Sequence, residues 1–154
     1  MYEWVMTEKY DNDNLHHRET RIGIEQGDGI AKIVNLPEAK QAFETAGFEE
    51  IFEEDMASRP DPYPWYWTLD SGSWRHAQTF GDLISTFRMT WIGRNFTRYM
   101  LSALEFVRIA PPGMVKTSDS LCAAADALVR GGREAIFTPM YLMVGKKPIS
   151  SPRP

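Results

Sequence analysis

An α/β fold is what this sequence predicts, and three observations carry the prediction. The chain opens on a β-type apolar run, Tyr2-Glu3-Trp4-Val5, that stops at the acidic-polar segment Asp11-Asn12-Asp13-Asn14. Leu36, Ala39, Phe43 and Ala46 recur at helical spacing up to Gly47, and Phe48 to Phe52 follows at once as a second strand. A further apolar run, Met140 to Val144, is short and bounded by Pro139 and Gly145-Lys146-Lys147-Pro148, which predicts a last strand rather than a helix.

Taken in order, residues 2–7 form the first strand, and in an open α/β sheet the loop leaving its carboxyl end is where ligands bind. Residues 15–34 mix charge with Ile22, Ile24, Ile30, Ile33 and Val34 around Gly27-Asp28-Gly29, which suggests two short helices or turns joined by a tight bend. Asn35 offers an N-cap and Pro37 suits a first turn, so helix 36–46 is expected. After strand 48–52, Glu53-Glu54-Asp55 reads as its solvated end.

A long insertion then separates the second strand from the last. Pro60, Pro62 and Pro64 forbid regular helix and make Pro60 to Trp67 a rigid aromatic loop. Apolar residues at threes and fours from Trp74 to Val107 predict two consecutive helices, broken or bent near Gly93 and ended by Pro111-Pro112-Gly113. A third helix, capped by Thr117 or Ser118, turns Leu121, Ala125, Leu128 and Val129 inward and ends at Gly131-Gly132. Residues 149–154 read as a disordered tail, and no internal repeat is present.

Composition narrows the function. With 154 residues, 43% of them hydrophobic, the chain is long enough for a real core. A net charge of −4 argues against nucleic acid, whose binding relies on clustered Lys and Arg. Cys122 is the only cysteine, so neither an intrachain disulfide nor a Cys-rich zinc site can form. No apolar run approaches the ~20 residues needed to span a bilayer, so any membrane contact is expected to be peripheral.

Trp65, Tyr66, Trp67 and Trp74, with Tyr63, form a π-rich patch that either packs the insertion onto the sheet or lines a cavity. Glu3 is a carboxylate between Tyr2 and Trp4, so it must reach a strand end or find a partner. Asp28 lies between two glycines, as a turn residue or a functional acid. His16 and His17 point apart on a helix and lack acidic ligands at metal spacing, so no metal site is expected. Phe80, Phe87, Met89, Trp91, Met100 and Met114 make the insertion apolar enough to share surface with a large ligand.

Tyr2 to Asp11, Gly27-Asp28-Gly29-Ile30, Pro64-Trp65-Tyr66 and Phe137-Thr138-Pro139-Met140 follow one another much as in the carboxyl-terminal part of fungal-type sterol 24-C-methyltransferases, which the chain resembles over nearly its whole length. The resemblance implies the carboxyl-terminal part of a class I methyltransferase (Rossmann-like) sheet, residues 1–58 and 134–148, whose last strand inserts antiparallel between the other two. Residues 59–133 would be the largely helical sterol methyltransferase domain. It implies S-adenosylmethionine as cofactor, held by an amino-terminal strand, glycine-rich turn and helix that these residues do not contain, so no cofactor-binding residue is expected here. A sterol is the implied substrate, in a homo-oligomer at the endoplasmic reticulum or lipid droplet.

On that reading, methylation of a side-chain alkene leaves a carbocation that ring faces stabilise. Glu3 and Asp28 are the expected catalytic carboxylates, and Tyr2, Trp4, Trp65, Tyr66 and Phe87 the expected sterol contacts, with Trp67 packing. A fragment of this kind is expected to be inactive alone. The alternative is a non-catalytic sterol- or lipid-binding or oligomerisation module derived from the same family.

Overall fold

The computed structural model of the chain describes residues 1–148. The tail expected at 149–154 lies outside them. The elements run β1 (Tyr2–Met6), α1 (Leu15–Asp28), β2 (Val34–Asn35), α2 (Leu36–Thr45), β3 (Glu49–Asp55), α3 (Phe80–Met89), α4 (Trp91–Phe106), α5 (Met114–Arg133) and β4 (Phe137–Lys146), with 3₁₀ turns at Met56–Ser58 and Ser73–His76. The fold is a mixed α/β one, a four-stranded sheet with five helices among the described residues.

Strand order is β2-β1-β4-β3. β1 and β2 are parallel, and β4 lies between β1 and β3, antiparallel to both, as the resemblance implies. Val5 and Met6, successive on β1, point to opposite faces, and the core has two parts, with the β1–β4 register shift separating Phe137 from Tyr141. Val5, Tyr141 and Met143 bury against Leu36, Ala39 and Phe43 of α2. Met6, Ile136 and Phe137 bury on the other face against Ile24 of α1 and Ala127 and Leu128 of α5. A Val, Leu, Ile, Phe or Met side chain so buried stabilises the fold by roughly 1.5–3 kcal/mol.

Four local expectations are corrected. Residues 15–34, expected as two short helices or turns joined by a bend at 27–29, form one helix, Leu15–Asp28, followed by a turn and the first residue of β2, and Gly23 and Gly27 within the helix leave room for α5: a Cβ at Gly27 would meet that of Ala124 at 1.9 Å. Asp28 is thus the last residue of α1, and the turn falls at Gly29, whose φ of 69° is left-handed. α5 starts at Met114 after Gly113, φ 98°, and Thr117 lies inside it with its hydroxyl donating to the Gly113 carbonyl. It also ends later than expected, at Arg133.

Glu53-Glu54-Asp55 continues β3 instead of leaving it, because β4 is longer than the apolar run suggests and pairs with it as far as Tyr141 opposite Asp55. β4 contains Pro139, and the β1–β4 register shifts between Glu3 and Val5, opposite the proline that lacks an N–H. Asn35 is the N-cap of α2 as expected, but its side chain makes no cap hydrogen bond. No helix among the described residues is long and apolar enough to cross a membrane.

Candidate functional site

The carboxyl ends of β1 and β3 and the start of β4 meet at one edge of the sheet. Thr7 closes β1 there, its hydroxyl donating to the Ala135 carbonyl at 2.7 Å and its N–H to that of Ile136 at 3.0 Å. The acidic loop beyond it folds onto the first turn of α1: Asn14 caps that helix by accepting from the His16 N–H, and the Asp11 N–H donates to His17 Nδ1 at 2.9 Å. His16 pairs with Glu134 instead, 2.7 Å away. Among the described residues, no three His, Cys, Asp or Glu side chains are grouped to hold a metal ion.

Asp55 ends β3 and organises the edge. Its Oδ1 accepts from the Thr138 hydroxyl at 2.6 Å and from the Ala57 N–H at 3.0 Å, which starts the 3₁₀ turn. Cavities flank that turn. One, of about 320 Å³, lies against Thr7, Glu8, Lys9, Asp55, Ser58 and Tyr141. The other, about 490 Å³, is walled by the rings of Tyr63, Trp65 and Trp67, with Met56 and Met140, Arg59 and Asp61 completing it.

The aromatic wall is held by its own contacts. Trp65 meets Phe137 edge-on at 5.9 Å and Tyr66 at 5.4 Å, and Trp4 meets the same Phe137 at 5.5 Å. Tyr63 packs on Trp67 at 5.7 Å and on His76 at 5.0 Å, and its hydroxyl accepts from the Gln78 amide. Asp61 Oδ1 accepts from the Tyr63 N–H, fixing the turn that presents the ring. Arg59 forks onto Glu54, with bonds of 2.8 and 2.6 Å, and this contact holds the Glu54 carboxyl below its ordinary range.

The expected site residues separate. Trp4 and Trp65 come together through Phe137 and Tyr66 joins them through Trp65, Trp65 lining the ring-walled cavity and Tyr66 lying over Gly132 of α5. Trp67, expected only to pack, lines that cavity too. Tyr2 is largely exposed, opposite Leu142. Glu3 faces α2, half-buried in a cavity of about 630 Å³ among Ala39, Phe43, Phe48 and Met143. Asp28 sits at the end of α1, where burial pushes its carboxyl up. Phe87 is half-exposed on α3, without a ring contact to the Trp65 group among the described residues.

Sequence reasoning missed a polar cluster on the α2 face. Tyr141 donates to Glu53 Oε2 at 2.9 Å, while Lys40 donates to Glu53 Oε1 at 2.6 Å. Burial, with the Glu53 carboxylate second, pushes the Tyr141 hydroxyl up to about 12. The available signal was register: once Glu53 is placed in β3, it falls on the same face as Tyr141.

A mixed sheet whose last strand is antiparallel, with an aromatic and helical excursion before it, is the framework into which the comparisons fit. Residues 84–149 match the sterol methyltransferase C-terminal family. Over 148 residues, 96% of this chain, the identity is 53% with a sterol 24-C-methyltransferase of Gibberella zeae and 50% with one of Aspergillus fumigatus, covering 39% of each. With that of Saccharomyces cerevisiae it is 41% over 154 residues, all of this chain and 40% of that protein. The chain therefore corresponds to the carboxyl-terminal portion of fungal sterol 24-C-methyltransferases. It spans about two fifths of the length of the curated relatives it matches. No solved structure gives a significant match.

Proposed function

We propose that these residues form the sterol-holding part of a sterol 24-C-methyltransferase, on the carboxyl-terminal part of a class I methyltransferase (Rossmann-like) sheet. Residues 1–58 and 134–148 form the sheet unit in this reading, and 59–133 the helical one. β4, antiparallel between β1 and β3, supports the sheet assignment. The relatives' names supply the reaction class. The observation that carries the role of this chain is the 490 Å³ cavity with three ring walls at the sheet's carboxyl edge.

S-adenosylmethionine, when bound, supplies an electrophilic methyl group. The residues present do not fit that cofactor: the 7–14 connection after β1 contains no glycine, and β2 runs directly into α2, so neither offers a glycine-rich turn. In this reading neither connection holds the donor, and the chain by itself does not transfer the methyl group. What the chain contributes is a hold on the acceptor. On this reading the alkene π pair would take the methyl group as the donor's S–CH3 bond breaks, that bond's electron pair staying on sulfur, and the cation left on the adjacent sterol carbon would be neutralised when a neighbouring carbon loses a proton. Tyr63, Trp65 and Trp67 present ring faces to that cation, an attraction of up to about 2 kcal/mol per desolvated ring. Asp61 is the carboxylate lining the same cavity, beside the Arg59 guanidinium, and supplies a countercharge there. Glu3 and Asp28, the carboxylates expected from the sequence, lie outside that cavity's lining, and substitution separates their roles from that of Asp61.

A fluorescent sterol titrated into the chain tests the reading by energy transfer from tryptophan. Saturable transfer that falls in Trp67→Leu supports it. Transfer that is absent, or unchanged in that variant, overturns the sterol role. Micromolar heat of binding for S-adenosylmethionine would overturn the division of labour.

A further inference from the structure

Gly131 and Gly132 lie inside α5 rather than beyond its end, and neither has a left-handed φ. A helix interior favours alanine over glycine, so at these positions the missing side chain answers to space and not to backbone conformation. The two glycines face different neighbours. A Cβ on Gly131 would stand 3.0 Å from that of Phe137, in the core. One on Gly132 would overlap the ring of Tyr66 and stand 2.9 Å from Cζ2 of Trp65.

Neither side of that contact is free to retreat. The helix backbone is tied to the start of β4, the Ile136 N–H donating to the Gly131 carbonyl at 3.0 Å and the Ala135 N–H to that of Gly132 at 3.2 Å. Trp65 meets Tyr66 on one edge and the fully buried Phe137 on another. Its open side is the ring-walled cavity. One residue further on, Arg133 holds Asp70 at 2.6 Å, so the end of α5 grips the aromatic loop at two successive positions.

We infer that Gly132 is a positioning residue: by giving Tyr66 and Trp65 room against α5, it keeps the Trp65 ring back and sets the width of the cavity that the acceptor meets. The inference rests on the reading of that cavity as the hold on the sterol.

The chain labelled with 5-fluorotryptophan tests it, the Trp65 signal being assigned by Trp65→Phe. In Gly132→Ala the Trp65 fluorine resonance is expected to shift, while that of Trp91 on α4 stays. In Gly132→Ala with Tyr66→Ala, measured against Tyr66→Ala alone, the shift should shrink, because the ring that drives it has gone. The fluorescent sterol should bind Gly132→Ala about tenfold more weakly than the parent, as the overpacked ring yields into the cavity, and should regain most of that affinity in the double variant. A Trp65 resonance unmoved by Gly132→Ala overturns the inference, Tyr66 having swung aside into solvent. So does a resonance that moves while sterol affinity does not. A parent chain that binds no sterol overturns the sterol reading instead, and the fluorine shift with its reduction in the double variant then decides the placing of Trp65. If Gly132→Ala loses its helical circular dichroism, the double variant decides: recovery of the fold supports the inference, and a double variant still unfolded overturns it.

Discussion

Gly27 of α1 sits against Ala124 of α5 so closely that a methyl group on the glycine would lie 1.9 Å from the alanine Cβ and 2.9 Å from its Cα. One turn earlier, Gly23 stands in the same relation to Ala127, at 2.8 Å. The helix carrying the acidic loop and the helix that leads back to the sheet are thus joined along a seam of small residues.

Gly27→Ala must therefore push the helices apart, since a backbone atom is among those it meets. The expected loss is about 1–3 kcal/mol, read as a lower urea midpoint. Ala124→Gly in the same chain should recover much of it, because the contact and not helix propensity is at fault. A Gly27→Ala chain as stable as the parent would refute the seam.

Tyr141 makes stability depend on alkaline pH. Its hydroxyl is pushed up to about 12 in the folded chain, from an ordinary 10.0, mainly by burial. The folded state thus binds this proton more tightly than the unfolded state. Its contribution is fully present below pH 10 and disappears as pH rises towards 12. Urea midpoints measured across that window should fall less steeply in Tyr141→Phe than in the parent.

The ring-walled cavity gives a sharper test of the proposed chemistry than sterol affinity alone. A sterol analogue bearing an ammonium where the cation would form should bind more tightly than the neutral sterol. About 2 kcal/mol corresponds to roughly thirtyfold. Trp67→Leu should narrow that ratio more than it changes neutral-sterol binding. Competition against the fluorescent sterol measures both. Equal weakening of the two ligands, with the ratio unchanged, would mean that the rings act only as apolar surface.

Asp70 ties the aromatic loop to the end of α5 through Arg133, 2.6 Å away. Burial alone would raise its carboxyl, but the Gly72 N–H and Arg133 outweigh this and hold it below the usual aspartate range. The contribution is present above that range and is lost as pH falls through the depressed value. Asp70→Asn should speed proteolytic cleavage between residues 60 and 79 at neutral pH, with little difference from the parent in strong acid.

Much of this architecture was legible before any coordinates. α2, the final strand and the aromatic loop follow from spacing and prolines, since each is set by neighbours along the chain. The continuity of α1 was not, because Gly27-Asp28-Gly29 looks like a bend until Ala124, nearly a hundred residues on, is seen to need the space. Likewise Glu53 to Asp55 stay in β3 because β4 pairs with them, a long-range demand that acidic composition hides. The cavity was partly legible: Trp65 stood out by its company, whereas Trp67, Asp61 and Met140 depend on how the loop closes. Periodicity in α3 and α4 marked apolar faces without telling whether this chain covers them, and it does not.

The Thr138 hydroxyl on the Asp55 carboxylate fastens the departure and the return of the helical excursion at a single point. Closing a long loop costs only slightly more as it lengthens, so with both feet clipped together the sheet is indifferent to what hangs between them. That hanging unit can be lengthened, shortened or reshaped while the strands beneath keep their register.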